Sequence, residues 1–213
     1  MRLVPFAAAG YNLLRGAWAV IAPLHVWRLF DRAGTRRGPP QPRCARGVVA
    51  GMASATTRIG FGGGCHWCTE AVFQALRGVA RVEQGWASAL DAPERFSEAV
   101  IVYFDAREIP LDVLVAVHLH THSCTSGHAL RGRYRSAVYA RDDAQAAAAR
   151  AALEASRADF EAPVVTEVVR LGGFRQNEPR YRDYYRTDPT RPFCERYIAP
   201  KLAEVRRRFG RYA

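Results

Sequence analysis

The sequence predicts an α+β fold, a two-layer α/β sandwich with its helices on one face of a sheet. Three observations carry that expectation. Strand-length apolar segments recur, as in Val79 to Trp86 and in the alternation Glu98, Val100, Val102, Phe104. Between them lie segments with apolar residues at helical spacing, such as Leu111, Leu114, Val115 and His118. The composition, 49% hydrophobic and 24% charged residues, is ordinary for a soluble globular protein, and 213 residues leave room for one well-cored domain plus an extension.

The extension comes first. Leu3 to Leu14 and Gly16 to Trp27 are apolar stretches separated by Arg15, each too short to span a bilayer. Pro5 interrupts the early run, which argues against a cleavable secretory signal, and the arginine-rich, acid-poor composition resembles a transit peptide, although arginine is the favoured cation throughout the chain. Residues 34–47, with Pro39, Pro40 and Pro42, read as a linker without a core. Met52 is the only methionine besides Met1. Residues 1–51 are therefore expected to be an extension that is disordered or lies upstream of the physiological start, and residues 52–213 the domain; a peptide from residues 1–51 detected in cells by mass spectrometry would overturn an upstream origin.

Within the domain the expected elements are strand 57–62, helix 66–77 and a strand from Val79 to Trp86. A short polar loop, Ser88 to Arg95, leads to strand 97–104. Ile109-Pro110 opens the next helix, since proline suits a first helical turn. A less regular segment, Thr121 to Arg133, precedes strand Tyr134 to Ala140. The order β-α-β-β-α-β is the ferredoxin-like pattern. After it come an alanine-rich helix from Asp142 to about Ala158, a strand from Val164 to Leu171, and an aromatic, arginine-rich tail ending in a helix around Pro200 to Phe209.

The net charge of +11 suggests a nucleic-acid partner until it is divided along the chain. Residues 1–51 hold eight arginines against one acid, Asp31, so most of the imbalance belongs to the extension. The cluster Arg206, Arg207, Arg208 and Arg211 is expected to be a solvated helix face, and no nucleic-acid partner is expected. Five cysteines without regular spacing do not form a secreted disulfide framework and fit redox chemistry in a reducing, cytoplasmic setting.

The stretch Gly60 to Leu76, GFGGGCHWCTEAVFQAL, concentrates the chemistry. It reads as a strand end, a turn of three glycines and a helix opening at Cys65. Unpaired N–H groups and the positive end of the helix dipole favour an anion there, so Cys65 is expected to be partly thiolate and nucleophilic near neutral pH. A buried cysteine is usually only a small hydrophobe. The glycine turn, the helix start and the C-x-x-C pair with Cys68 set this one apart. Glu98 shares a sheet face with three apolar side chains, where desolvation is expected to keep it protonated as a proton donor; by itself it also reads as an exposed strand-end glutamate. Tyr134 can donate a hydrogen bond, or simply pack.

GGGCHWCTEAVF, followed in order by GWAS, FSEAVIVYF, the HLHT run and RYRSAVY, resembles the A-class peptide methionine sulfoxide reductases (peptide-methionine (S)-S-oxide reductases), whose motif runs Gly-Cys-Phe-Trp-Gly-x-Glu. The resemblance covers roughly Arg58 to Lys201 and agrees with the α/β sandwich. It implies reduction of the S epimer of methionine sulfoxide, free or in proteins, with Cys65 as nucleophile and Glu98 and Tyr134 acting on the oxygen. It implies a pocket of Trp67, Trp86 and His66, the last replacing a phenylalanine; a cationic His66 would further stabilise the thiolate. Cys65 would pass through a sulfenic acid, resolved by Cys68, Cys194 or Cys124 and then reduced by thioredoxin or another dithiol. Cys68 is nearest in sequence, and Cys194 lies in a flexible-looking tail. No cofactor is implied, and the chain is expected to act as a monomer. The departures are specific: FSE keeps only the last residue of Gly-His-Ala-Glu, Arg133 precedes Tyr134 where the family has glutamine, Ala129 stands where an aspartate is usual, and Trp86 replaces a tyrosine. Glu70 matches the motif's glutamate, where it also suits a helix N-terminus.

His118, His120, His122 and His128 suggest a metal site, but they fall at a helix end and in a loop, so no metal is expected. Two rival functions follow from the same residues: a thioredoxin-like dithiol-disulfide oxidoreductase using CHWC, and a noncatalytic basic protein whose binding would be salt-sensitive and indifferent to Cys65→Ser.

Overall fold

The computed structural model describes residues 56–213, so the expectations for residues 1–51 lie outside the described residues. Five strands, β1 (Thr56–Gly62), β2 (Val79–Ala89), β3 (Ala92–Asp105), β4 (Ala137–Ala140) and β5 (Glu167–Gln176), close into a ring in the order β1-β3-β2-β5-β4. β4 returns to β1, and every pairing is antiparallel except that of β4 with β5. The architecture is α+β, with a closed sheet where an open one was expected. β5 closes it by bonding to both β2 and β4.

Side-chain alternation explains the two faces. Ile59, Phe61, Val100, Val102, Phe104 and Val138 point outward into the main core. They meet α1 (His66–Gln74) through Ala71, Val72 and Phe73, α2 (Leu111–Thr121) through Leu114, Val115, Val117 and Leu119, and α3 (Asp143–Ala155) through Ala149 and Leu153. The inside of the ring is filled by Ala87, Ala99, Ala137 and Tyr139. Small residues are needed there because a five-stranded ring is narrow.

Local signals set the boundaries. Asp142 caps α3 by accepting the N–H of Gln145 at 2.7 Å. α1 ends at Gln74, short of the expected residue 77, and the chain reverses through Gly78 at φ +85°, where an added Cβ would lie 2.7 Å from Ile109 Cγ2. The expected loop from Ser88 to Arg95 contracts to the turn Leu90-Asp91, because β2 and β3 continue their pairing to Ala89 and Ala92. The polar residues Glu94 and Arg95 mark an exposed strand end. Tyr134, Arg135 and Ser136 are not strand: the Arg133 carbonyl accepts from Glu98 N–H, and Arg135 N–H bonds to Ser97 Oγ at 2.7 Å, so this segment crosses the end of β3. β5 starts at Glu167, later than expected, since Val164 is drawn into the core.

Beyond β5 the chain crosses back over α1. It forms the short helix α4 (Tyr184–Thr187), a wide turn at Cys194–Ile198 and α5 (Ala199–Phe209), which buries Leu202 and Val205. Arg206, Arg207 and Arg208 stay on its exposed face, two of them pairing with Glu204.

Candidate active site

Cys65 occupies the N-cap of α1 and is partly exposed. Its thiol is lowered to about 7, first because the Cys68 thiol donates a hydrogen bond to it, then because the N–H groups of Cys68 and Trp67 act on it; burial and the Glu98 charge oppose them. No hydrogen bond of cap geometry closes on the sulfur, so these N–H groups act as dipoles of an open helix end. Cys68 is driven far up by the same shared proton and by burial. One thiolate is thus held between two sulfurs, and it resides on Cys65.

The glycine turn rests on α2. A Cβ at Gly63 would collide with the imidazole of His122. That ring is fixed from three sides: its Nδ1 is 2.6 Å from the His118 carbonyl, its Nε2 2.7 Å from Ser136 Oγ, and it stacks on His118 at 4.0 Å. Arg131 ties the facing loop together by donating to the carbonyls of Ser126, Tyr134 and Gly63. The four histidines therefore do not share one site: His118 and His122 stack on each other, whereas His120 lies 3.0 Å from Asp159 and His128 borders the cleft described next. Among the described residues no group of three or more His, Cys, Asp or Glu side chains is arranged to hold a metal.

A cleft of about 340 Å³ opens at Cys65. Gly63, Gly64, Cys68 and Tyr134 line it, together with Phe193, Tyr197 and Lys201 from the tail. Its neighbour is an aromatic cluster: His66 packs edge-on against Trp67 and Trp86, each at 6.0 Å. The indole of Trp86 donates to Asn177 at 3.0 Å. One face of Trp67 is covered by Tyr184 at 4.1 Å, and its indole N–H goes to the Tyr181 carbonyl. A larger depression around Arg95, Arg131 and Arg135 contains no thiol and is separate from Cys65.

Glu98 lies on the helix face of the sheet, as its alternation suggests, and is only 2% exposed. It is not surrounded by apolar groups alone. Oε2 accepts the N–H of His66 at 3.2 Å, and Oε1 receives Nε of Arg133 at 2.7 Å. Arg133 thus bridges Glu98, Trp86 and Tyr134, with its guanidinium 5.6 and 5.5 Å from the two rings. His66 corrects an expectation: burial lowers its pKa from 6.5, so it is neutral at pH 7 and supplies no cation. Its Nδ1 sits 3.2 Å from Glu98 Oε2 but without hydrogen-bond geometry.

The other cysteines are placed unequally. Cys194 is fully buried in the wide turn, not in a flexible tail, and lies within electrostatic reach of Cys68. Cys124 is buried where its carbonyl pairs with the Val165 N–H, off the lining of the cleft. Glu70 is an anchor more than a helix-end charge: its carboxylate accepts Gln84 Nε2 at 2.9 Å and the N–H groups of Asp183 and Tyr184. Sequence reasoning missed Phe193, Tyr197 and Lys201. The i, i+4 spacing of Phe193 and Tyr197 was the one available signal.

The family model for peptide methionine sulfoxide reductase matches residues 57–212. The peptide methionine sulfoxide reductase MsrA of Ralstonia nicotianae is 40% identical over 169 residues, covering 70% of this chain and 88% of that protein. The MsrA of Chromobacterium violaceum is 35% identical over 165 residues, covering 70% and 94%. Among solved structures, methionine sulfoxide reductase A of Corynebacterium diphtheriae superposes with a TM-score of 0.57 at 24% identity, over 76% of this chain and 92% of that one. The reduced form of Mxr1 from Saccharomyces cerevisiae gives 0.57 at 18% identity, over 63% and 87%. The two structural likenesses speak for the fold.

Proposed function

The chain belongs to the peptide methionine sulfoxide reductase family, and we propose that Cys65 is the nucleophile with which it reduces the S epimer of methionine sulfoxide, free or in proteins, repairing oxidative damage. The observation that carries this reading is the Cys65 thiol at an open helix end, lowered to about 7 and facing a cleft shared with Tyr134. The Cys65 thiolate attacks the sulfoxide sulfur, forming an S–S bond, as the sulfoxide oxygen takes up one proton; the hydroxyl then passes to the Cys65 sulfur as the S–O and S–S bonds to the substrate break, leaving Cys65 as a sulfenic acid and releasing methionine. Tyr134 and Glu98 act on that oxygen. Arg133 adds donors beside them where relatives have glutamine. His66, Trp67 and Trp86 form the wall for the methyl group, and Phe193 and Tyr197 the opposite wall.

Cys68 is the resolving thiol we favour, since it lies one helical turn from Cys65 and borders the same cleft. It condenses with the sulfenic acid, releasing water and forming a disulfide that thioredoxin or another dithiol reduces. Cys194 and Cys124 would have to leave the core to reach Cys65. A dithiol oxidoreductase using CHWC has no use for Glu98 or Tyr134, and family membership displaces it. The order β4-β1-β3-β2, antiparallel throughout, supports a ferredoxin-like core to which β5 is added. We propose that the chain acts as a monomer. No helix among the described residues is long and apolar enough to cross a membrane; a thiol-dependent enzyme fits the cytoplasm.

The test is a single turnover of pre-reduced protein with each epimer of a blocked methionine sulfoxide, counting free thiols before and after. Consumption of one equivalent of the S epimer with loss of two thiols is expected, and none with Cys65→Ser. Consumption of neither epimer by the wild type would sink the reading; loss of a single thiol would remove Cys68 from it.

A further inference from the structure

Lys201 is the only lysine in the chain; the other 30 basic side chains counted with it are arginines. It stands in the first turn of α5, and its side chain turns inward. Its ammonium donates to the carbonyl of Thr121, the last residue of α2, and borders the cleft that Cys65 and Cys68 share. None of the ion pairs among the described residues includes it. Burial lowers its pKa, and the neighbouring thiols of Cys68 and Cys65 oppose that lowering. An ammonium is a compact charge with rotatable donors on a flexible stem, so it can bond the Thr121 carbonyl and still present its charge to the cleft.

We propose that Lys201 is the counter-ion of the resolving thiol, a positioning residue whose ammonium favours the Cys68 thiolate once Cys65 has been oxidised. This rests on the reading of Cys65 as nucleophile and Cys68 as its resolver. In the reduced enzyme Cys68 must keep its proton, because it donates it to the Cys65 thiolate. Once Cys65 is a sulfenic acid that anion is gone, and Lys201 is the cation left beside Cys68. The Cys68 proton passes to the departing oxygen, the Cys68 sulfur bonds to the Cys65 sulfur, the S–O bond breaks and water leaves; Cys68 is oxidised and the sulfenic sulfur reduced. The other titratable or charged groups around the pair are His118 on α2, His122 just after it, Glu98 on β3, Arg131 in the loop and Cys194 in the wide turn. Burial keeps both histidines neutral above pH 6.5, so they add no competing cation there.

The experiment uses the full chain, reduced and mixed with one equivalent of the S epimer, with Cys65 sulfenic acid trapped by dimedone and disulfide formation followed by rapid quench and mass spectrometry. Lys201→Met is expected to slow disulfide formation at pH 7 by at least about tenfold, the factor of one pKa unit, with the deficit closing toward pH 9. Methionine release should slow less than disulfide formation, and Lys201→Arg should recover part of the loss. Equal rates of disulfide formation in wild type and Lys201→Met would overturn the proposal; a wild type that forms no Cys65–Cys68 disulfide would overturn the underlying reading instead. A second measurement needs no variant. With isotope-labelled lysine the protein has one side-chain ammonium resonance, whose titration midpoint should fall when the dithiol becomes a disulfide, and superimposable titrations would equally overturn the proposal.

Discussion

The turn that carries Cys65 and the tail that faces it build one cleft by opposite means. The turn is short and rigid: β1, three glycines and α1, with His122 beneath Gly63. The tail reaches the cleft with large side chains, Phe193 and Tyr197, after a run of about 20 residues from the end of β5. It is held by side-chain attachments, among them the buried Glu70 carboxylate, the bonds of Trp67 and Gln84 to the Tyr181 carbonyl, the stacking of Tyr184 on Trp67, and the apolar seam of Leu202 and Val205. The difference assigns separate tasks. The residues assigned to the reacting atoms lie on the sheet, on its first helix and on the loop that crosses the end of β3, whereas the wall of Phe193 and Tyr197 comes from a separate segment.

The comparison can be broken most sharply on the sheet side. Glu98→Gln is expected to lower kcat by about 10²–10⁴, the usual contribution of a general acid, in steady-state assays with the S epimer; activity within threefold of wild type would remove Glu98 from the reaction. The support beneath the turn should show in stability. His122 is lowered to about 4 from 6.5 by burial, so the unfolded chain takes up its proton first. Its contribution is fully present above pH 6.5 and lost as pH falls toward 4, on the order of 3 kcal/mol. Urea midpoints should fall across that window, and His122→Gln should flatten the fall; a parallel fall in the variant would assign the acid sensitivity elsewhere.

On the tail side the effects should be smaller and appear in binding. Glu70→Ala leaves the N–H groups of Asp183 and Tyr184 and the amide of Gln84 without their acceptor, costing about 1–3 kcal/mol. Limited proteolysis should open first within residues 177–198, with KM raised more than kcat is lowered. Tyr184→Ala removes the stack on Trp67, a loss of about 0.5–1.5 kcal/mol beyond area, and should raise KM alone. A change in kcat as large as that of Glu98→Gln from either tail variant would contradict the division of tasks.

Legibility in the sequence followed the same division. The strand–glycine–helix turn is local, so Cys65 and its open helix end could be read from neighbouring residues. Glu98 was found by the two-residue period of β3, which does report its face. Arg133 was not, because a guanidinium arriving from a loop 35 residues away has no periodic signature. The closure by β5 escaped for a related reason: its residues are half-buried or exposed, with no clean alternation to declare a partner on each side. Ser88 to Arg95 looked like a loop because its polarity was read without the hairpin pairing that holds it. His66 misled because burial, which keeps it neutral, comes from Trp86 and the body of the sheet as well as from its neighbour Trp67, and only the second of these is visible in the sequence.

The shared proton of Cys65 and Cys68 also decides how the protein meets electrophiles. Four thiols lie among the described residues, and three of them are buried. Burial pushes Cys124 and Cys194 up, and the bond to Cys65 holds Cys68 protonated. Among the described residues a covalent probe at neutral pH therefore finds one sulfur with both charge and access, so that labelling at Cys65, read by peptide mapping, reports the reduced enzyme without mutation of the three buried cysteines.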